Sequence, residues 1–229
     1  MVDFEEFYRG GELVEGMPHA GVPWDIGAPQ PVVVDWERAG RFRGHVLDAG
    51  CGTGDNAIFL ASRGLRVTAV DIAPTAIETA RARGIDSVSP PSGEIEGPTP
   101  IFSGRSDNSG SVEWVVGDSA AFAGRFDTVL ASALIHCVPA EQRPGLAAAL
   151  RNAAVDGALL NLTSLAVEGS PFDVTEPELR SALEGAGWEI TRFERDVIVL
   201  TGVNDLPELP VWVVEATATS RGADAATTP

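Results

Sequence analysis

Asp48-Ala49-Gly50-Cys51-Gly52-Thr53-Gly54 is the stretch that decides the fold of this 229-residue chain. It follows the apolar pair Val46-Leu47 and precedes an alanine-rich stretch with helical spacing that begins at Asp55. A strand, a glycine turn and a helix in that order place a nucleotide-like ligand at the strand ends. Gly50, Gly52 and Gly54 let the backbone turn sharply and let a ligand approach closely, because no Cβ stands in the way. A second strand-like run, Arg66 to Val70, ends in Asp71, an acid placed to accept both hydroxyls of a ribose. The glycines run G-x-G-x-G behind a strand-end acid, whereas a dinucleotide fold asks for G-x-G-x-x-G. That spacing disfavours a nicotinamide dehydrogenase.

Working outward, strand patterns at 45–49, 66–71, 112–116, 126–131 and 158–162 alternate with helical patterns. The helices are expected over 54–63, from Pro74, over 141–152, and from a Thr175-Glu176-Pro177-Glu178 capping box to near Gly185 and Gly187. Ile58, Leu60 and Ala61, then Ala76, Ile77 and Ala80, then Leu146 and Leu150 are the inward candidates. Two closing strands follow, Trp188 to Phe193 with room to continue to Leu200, and Val211 to Ala216. Their short connection cannot hold a crossover helix, so they should pair antiparallel. The expected fold is α/β, a doubly wound, mostly parallel seven-stranded sheet with its last strand antiparallel. Residues 86–111, rich in Pro, Gly and Ser, read as a loop insertion that is decoration rather than a lid. The expected organisation is an N-terminal arm over 1–40, a ligand-binding domain over 41–217, and a disordered tail over 218–229.

The apolar pair with D-x-G-x-G-x-G, the terminal Asp71 and the run Gly117-Asp118-Ser119 resemble the class I S-adenosylmethionine (SAM) dependent methyltransferases. The run from Val22 to Pro31, P-W-D-I-G-x-P-Q-P within it, is similar to one in small-molecule methyltransferases of the thiopurine and heterocyclic-toxin type. The resemblance covers residues 4–84 and 112–200, with the insertion as the main departure. It implies SAM as cofactor, with Asp48 near its amino group and Gly50, Gly52 and Gly54 beneath its methionine part. It also implies Asp71 on the ribose, Ile72 against the adenine, Asp118 and Ser119 at the adenine edge, and Ser132 on the methionine side. The arm would close over the cofactor, with Trp24 as its lid and Trp24, Phe7 and Tyr8 sandwiching a flat acceptor ring. His136 is the sole histidine near the expected transfer site and a candidate general base; its other reading is a structural histidine beneath the site.

Composition narrows the acceptor. Acids number 33 against 16 bases, every base is arginine, and the formal charge is −17. Such a chain repels phosphate backbones, so no nucleic-acid partner is expected. The Lys-free acidity fits a GC-rich genome or adaptation to high salt. No apolar stretch approaches the roughly 20 residues of a membrane span, and the acidic N-terminus does not read as a signal peptide. A cytoplasmic enzyme without membrane partners is therefore expected, its oligomeric state left open. Cys51 and Cys137 form no C-x-x-C pair and His19, His45 and His136 are scattered, so no metal site is expected. The leading reading is methyl transfer from SAM to N, O or S of a small aromatic or heterocyclic molecule. The alternative is a catalytically inactive SAM-binding partner subunit.

Overall fold

The computed structural model describes residues 2–12, 21–87, 110–201 and 208–220. Seven strands form one sheet in the order β3-β2-β1-β4-β5-β7-β6. They are β1 (His45–Ala49), β2 (Arg66–Asp71), β3 (Ser111–Val116), β4 (Phe126–Ser132), β5 (Ala154–Leu165), β6 (Trp188–Val199) and β7 (Glu208–Ala218). The first five run parallel, and β7 lies antiparallel between β5 and β6. The order reverses between β1 and β4, which opens a crevice at the carboxyl ends of those two strands.

Helices cover both faces: α1 (Phe4–Tyr8), α2 (Pro31–Arg38), α3 (Asp55–Ser62), α4 (Pro74–Ser87), α5 (Arg143–Ala153) and α6 (Glu176–Gly185). Alternation along each strand divides the core in two. Leu47, Val129 and Leu160 face α5 and α6, where Leu146, Leu150, Leu179 and Leu183 meet them. Val46, Val67, Ala69 and Leu130 face the other way, toward Val33, Trp36, Leu60, Ile77 and Ala80. Both faces are covered, so the central strands bury side chains on both sides, most of them apolar, as a parallel sheet requires.

Several boundaries differ from the sequence reading. In α3 the buried residues are Ala57 and Leu60, while Ile58 and Ala61 lie half-buried beside them. Strand β5 begins four residues early because its register with β4 shifts at a bulge between Phe126 and Thr128, where Gly157 takes a φ of 75°. Thr175 does sit at the N-cap of α6, but its side chain makes no cap; Glu178 is drawn instead to Arg143 on α5, 2.6 Å away.

The expected arm over 1–40 contains two different things. Helix α2 belongs to the core: Val33 and Trp36 are buried, and the Trp36 indole N–H donates to Glu215 Oε1 at 3.1 Å. The part lying on the crevice ends near Gln30. At the other terminus, Ala218 still belongs to β7 and the Thr219 N–H donates to Gly187 O, so the sheet runs into the expected tail. Residues 221–229 and most of the insertion, 88–109, lie outside the described residues. The insertion's C-terminal end is anchored: Gly110 N–H donates to Ala61 O and Ser111 N–H to Leu65 O.

Candidate active site

The glycine turn is tied to β2 at both ends. Gly50 and Cys51 N–H groups both donate to Val70 O, at 2.8 and 3.0 Å. Asp71 Oδ2 accepts from Gly52 N–H at 2.8 Å and Oδ1 from Ala73 N–H at 2.9 Å. The strand-end acid thus orders the turn while keeping lone pairs for a ligand. All three glycines have positive φ, at 69°, 54° and 87°. Their reasons differ. A Cβ on Gly54 would lie 2.5 Å from the Trp114 ring and 2.8 Å from Ala80, so Gly54 serves helix packing. Gly52 faces the crevice, where a Cβ would meet the Tyr8 hydroxyl at 2.9 Å.

Asp48 lies beneath this turn, buried, and its Oδ2 has no hydrogen-bond partner. Burial, with Asp71 beside it, pushes its carboxyl up to about 7. A desolvated acceptor with nothing to accept costs about 1–3 kcal/mol. A ligand carrying an N–H and a positive charge would relieve that cost.

Farther along the crevice, Ile72 and Val116 stand at the ends of β2 and β3, 62% and 47% exposed. Gly117 N–H donates to Asp71 O at 2.9 Å, which joins the two ends. Two apolar side chains left open at adjacent strand ends make a wall for a flat ring. Asp118 is exposed and its Oδ1 accepts from Ala120 N–H at 2.8 Å; Ser119 is buried behind it. Asp118 therefore closes a tight turn rather than capping a helix.

At the end of β4, Ser132 Oγ lies 3.4 Å from Thr163 Oγ1. The next residue, Ala133, holds a φ of 58° and donates its N–H to Thr163 Oγ1 at 2.9 Å. A non-glycine residue in that region is strained, and Thr163 on β5 holds it there. His136, in a 3-10 turn over Ile135–Cys137, is buried. Its Nδ1 accepts from Leu165 N–H at 3.1 Å, and burial together with nearby Arg143 lowers its pKa to about 3. A neutral imidazole with that lone pair occupied takes no proton near neutrality, which argues against a general base and for the structural role. Neighbouring Cys137 is pushed up to about 12 by burial.

The arm lies over the crevice. Trp24 stacks on Phe7 with centroids 5.2 Å apart and meets Phe4 and Tyr8 edge-on. Its indole N–H donates to the Tyr8 hydroxyl at 3.2 Å. Phe7 is fully buried, so it cannot offer a face to an acceptor and the expected three-ring sandwich does not form. Three polar contacts latch the arm. Glu5 caps α4, accepting from Thr75 N–H at 3.0 Å and Thr75 Oγ1 at 2.7 Å. Asp25 forms a two-point pair with Arg83, which also reaches Asp55. Gln30 exchanges hydrogen bonds with the backbone of Val199. The sequence reading did not single out the latch residues or Thr163. Tyr8, the chain's one tyrosine, was read there as a wall only.

Residues 18–216 match the thiopurine S-methyltransferase family. The chain belongs to that family. It is a class I methyltransferase, an enzyme that uses SAM as methyl donor on small molecules. The 2-heptyl-1-hydroxyquinolin-4(1H)-one methyltransferase of Mycobacteroides abscessus is 36% identical over 188 residues, 77% of this chain and 72% of that protein. A structure from work on conversion of a disulfide bond into a thioacetal group during echinomycin biosynthesis superposes with a TM-score of 0.72. It is 28% identical and covers 96% of this chain and 92% of that one. The 1,6-didemethyltoxoflavin-N1-methyltransferase of Burkholderia thailandensis shares the fold, with a TM-score of 0.53, 20% identity, and coverage of 85% and 73%. The methyltransferase crevice fits SAM on its own chemistry: Asp48 offers an orphaned acid to an ammonium, and Asp71 keeps lone pairs beyond its two backbone bonds for ribose hydroxyls.

Proposed function

We propose that this enzyme methylates a flat heteroaromatic acceptor whose nucleophilic atom reaches the site already deprotonated or carrying a free lone pair. The observation behind this is the state of His136. Apart from the acids assigned below to the cofactor, the ionisable groups that the described residues place around the expected transfer site are poor proton acceptors near neutrality. His136 is held near 3 and Cys137 near 12, while Cys51 and Tyr8 are both shifted upward by burial. An N-hydroxy, acidic ring hydroxyl, thione or ring-nitrogen acceptor needs no base. The quinolone and toxoflavin relatives act on heterocycles, as their names state, which supports the same class for this chain.

In this reading Asp48 takes the ammonium of SAM and Asp71 its ribose hydroxyls. Ile72 and Val116 flank the adenine, with Asp118 and Ser119 at its edge, and Ser132 lies toward the methionine end. Bound SAM supplies a methyl group on a sulfonium, a strong electrophile with a neutral leaving group. The protein then has to position the acceptor and exclude water, which proximity alone can turn into most of the rate. Trp24 and Tyr8, latched by Asp25–Arg83 and Glu5–Thr75, close that side. A cytoplasmic setting is part of the proposal, supported by two free thiols, Cys51 and Cys137.

The test is an acceptor panel read by mass spectrometry for the gain of one methyl group. Heterocycles with acidic O–H, N–OH or S–H groups, and ring-nitrogen nucleophiles, should turn over. Their aliphatic alcohol counterparts should not. Comparable turnover of a weakly acidic alcohol would overturn the proposal, since it demands a base.

A further inference from the structure

The Tyr8 hydroxyl is half-committed. Its oxygen accepts from the Trp24 indole N–H at 3.2 Å, while its own proton has no acceptor among the described residues. Trp24 can only donate, so the proton must point elsewhere. The hydroxyl oxygen rests on Gly52, whose absent Cβ would lie 2.9 Å from it, so the group sits directly against the glycine turn. Tyr8 is also rigidly held. Asp3 caps α1 by accepting from Glu6 N–H, Phe7 is clamped under Trp24, and Glu5 grips Thr75.

What could the proton meet? The amino-acid end of SAM is a zwitterion. Asp48 is an acceptor with an unpaired oxygen and suits the ammonium; Asp71 is assigned to the ribose. The carboxylate is left in a cleft walled by two acids, within a chain of formal charge −17. An anion there needs a donor. Burial and Asp71 both raise the Tyr8 pKa, so the phenol keeps its proton at any working pH. We infer that the Tyr8 hydroxyl donates a hydrogen bond to the carboxylate of bound SAM, so that the arm contributes a cofactor ligand as well as a cover. The inference rests on the assignment of the ammonium to Asp48. It explains why the indole meets the phenol edge-on: the bond from Trp24 fixes the direction of the hydroxyl.

Calorimetry with two ligands tests it. S-adenosylhomocysteine carries the amino-acid end; 5′-methylthioadenosine has the adenosine and the sulfur but lacks that end. Tyr8→Phe keeps the ring and should weaken S-adenosylhomocysteine binding about 10- to 100-fold, the scale of a hydrogen bond to a charged group. It should change 5′-methylthioadenosine binding by less than about twofold, because no bond to that ligand is lost. Trp24→Phe, which removes the indole donor, should give a smaller loss with the same selectivity. Equal losses for both ligands, or none for either, would overturn the inference. Should Asp48→Asn weaken S-adenosylhomocysteine while Tyr8→Phe does not, Tyr8 falls and the ammonium assignment stands. Failure of the parent to bind S-adenosylhomocysteine would overturn both.

Discussion

Asp48→Asn should make the cofactor-free protein more stable and the cofactor looser, and the first effect should depend on pH. The side chain keeps its shape and loses its charge. Asp48 has an ordinary value of 3.8 and sits at about 7 in the folded protein. Below 3.8 the carboxyl is protonated in both folded and unfolded chains and adds no difference. As pH rises above that, the unfolded chain ionises first, so the parent loses stability until pH passes its folded value, and the loss is then complete. A shift of that size is worth about 4 kcal/mol, of which about 2 kcal/mol should accrue between roughly pH 5.5 and 8. The asparagine variant does not titrate. Its advantage over the parent, from urea unfolding without cofactor, should therefore widen by about 2 kcal/mol across that interval. S-adenosylhomocysteine binding should be weaker in the variant by about 10- to 100-fold near pH 8, because an ammonium–carboxylate bond is lost. A stability gap that stays constant with pH would refute the reasoning and show Asp48 ionised or solvated like any surface acid.

Asp71→Asn should weaken S-adenosylhomocysteine binding by roughly 1–3 kcal/mol; unchanged affinity by calorimetry would remove the ribose assignment. His136→Asn should cost about 1–3 kcal/mol of stability by disturbing the partner of the buried Leu165 N–H, yet leave the shape of the pH–rate profile as in the parent. A lost inflection near neutrality would restore His136 as a base. Gly54→Ala should destabilise by about 3 kcal/mol or more, combining left-handed backbone with a clash against Trp114; circular-dichroism melts would show it. Arg83→Met should loosen the arm, raising proteolytic cleavage before residue 30 in the free protein and weakening S-adenosylhomocysteine only a few-fold, since the Glu5–Thr75 and Gln30–Val199 bonds still hold the arm.

The proposed cofactor half of the site was legible in the sequence because it is local. Residues 48–54 are contiguous and Asp71 ends the next strand, so strand–turn–helix geometry alone brings them together. The same holds for Asp118 and Ser119, which follow β3 directly, and for the antiparallel ending, which the short connection before β7 forces. Boundaries were less legible where a bulge intervened, as at Gly157, or where a capping residue found a better partner, as Glu178 did in Arg143.

By itself, then, the order of residues determined the fold class through the alternation of strand and helix patterns, and it placed Asp48 and Asp71 at strand ends within about thirty residues of chain; the cofactor came from the family resemblance that this unit carries. Tertiary structure alone decided the state of each group. His136 and Cys137 are neighbours on a short turn whose solvation no spacing reveals; burial set the imidazole near 3 and the thiol near 12. Asp48 differs from a surface aspartate because the sheet closes around one oxygen and supplies no donor. Tyr8 and Gly52 are far apart in sequence and meet only because Glu5–Thr75 and Asp25–Arg83 hold the arm down. Dielectric surroundings and long-range contacts are properties of the packed chain, which is why the chemistry of the site waited on the structure while its location did not.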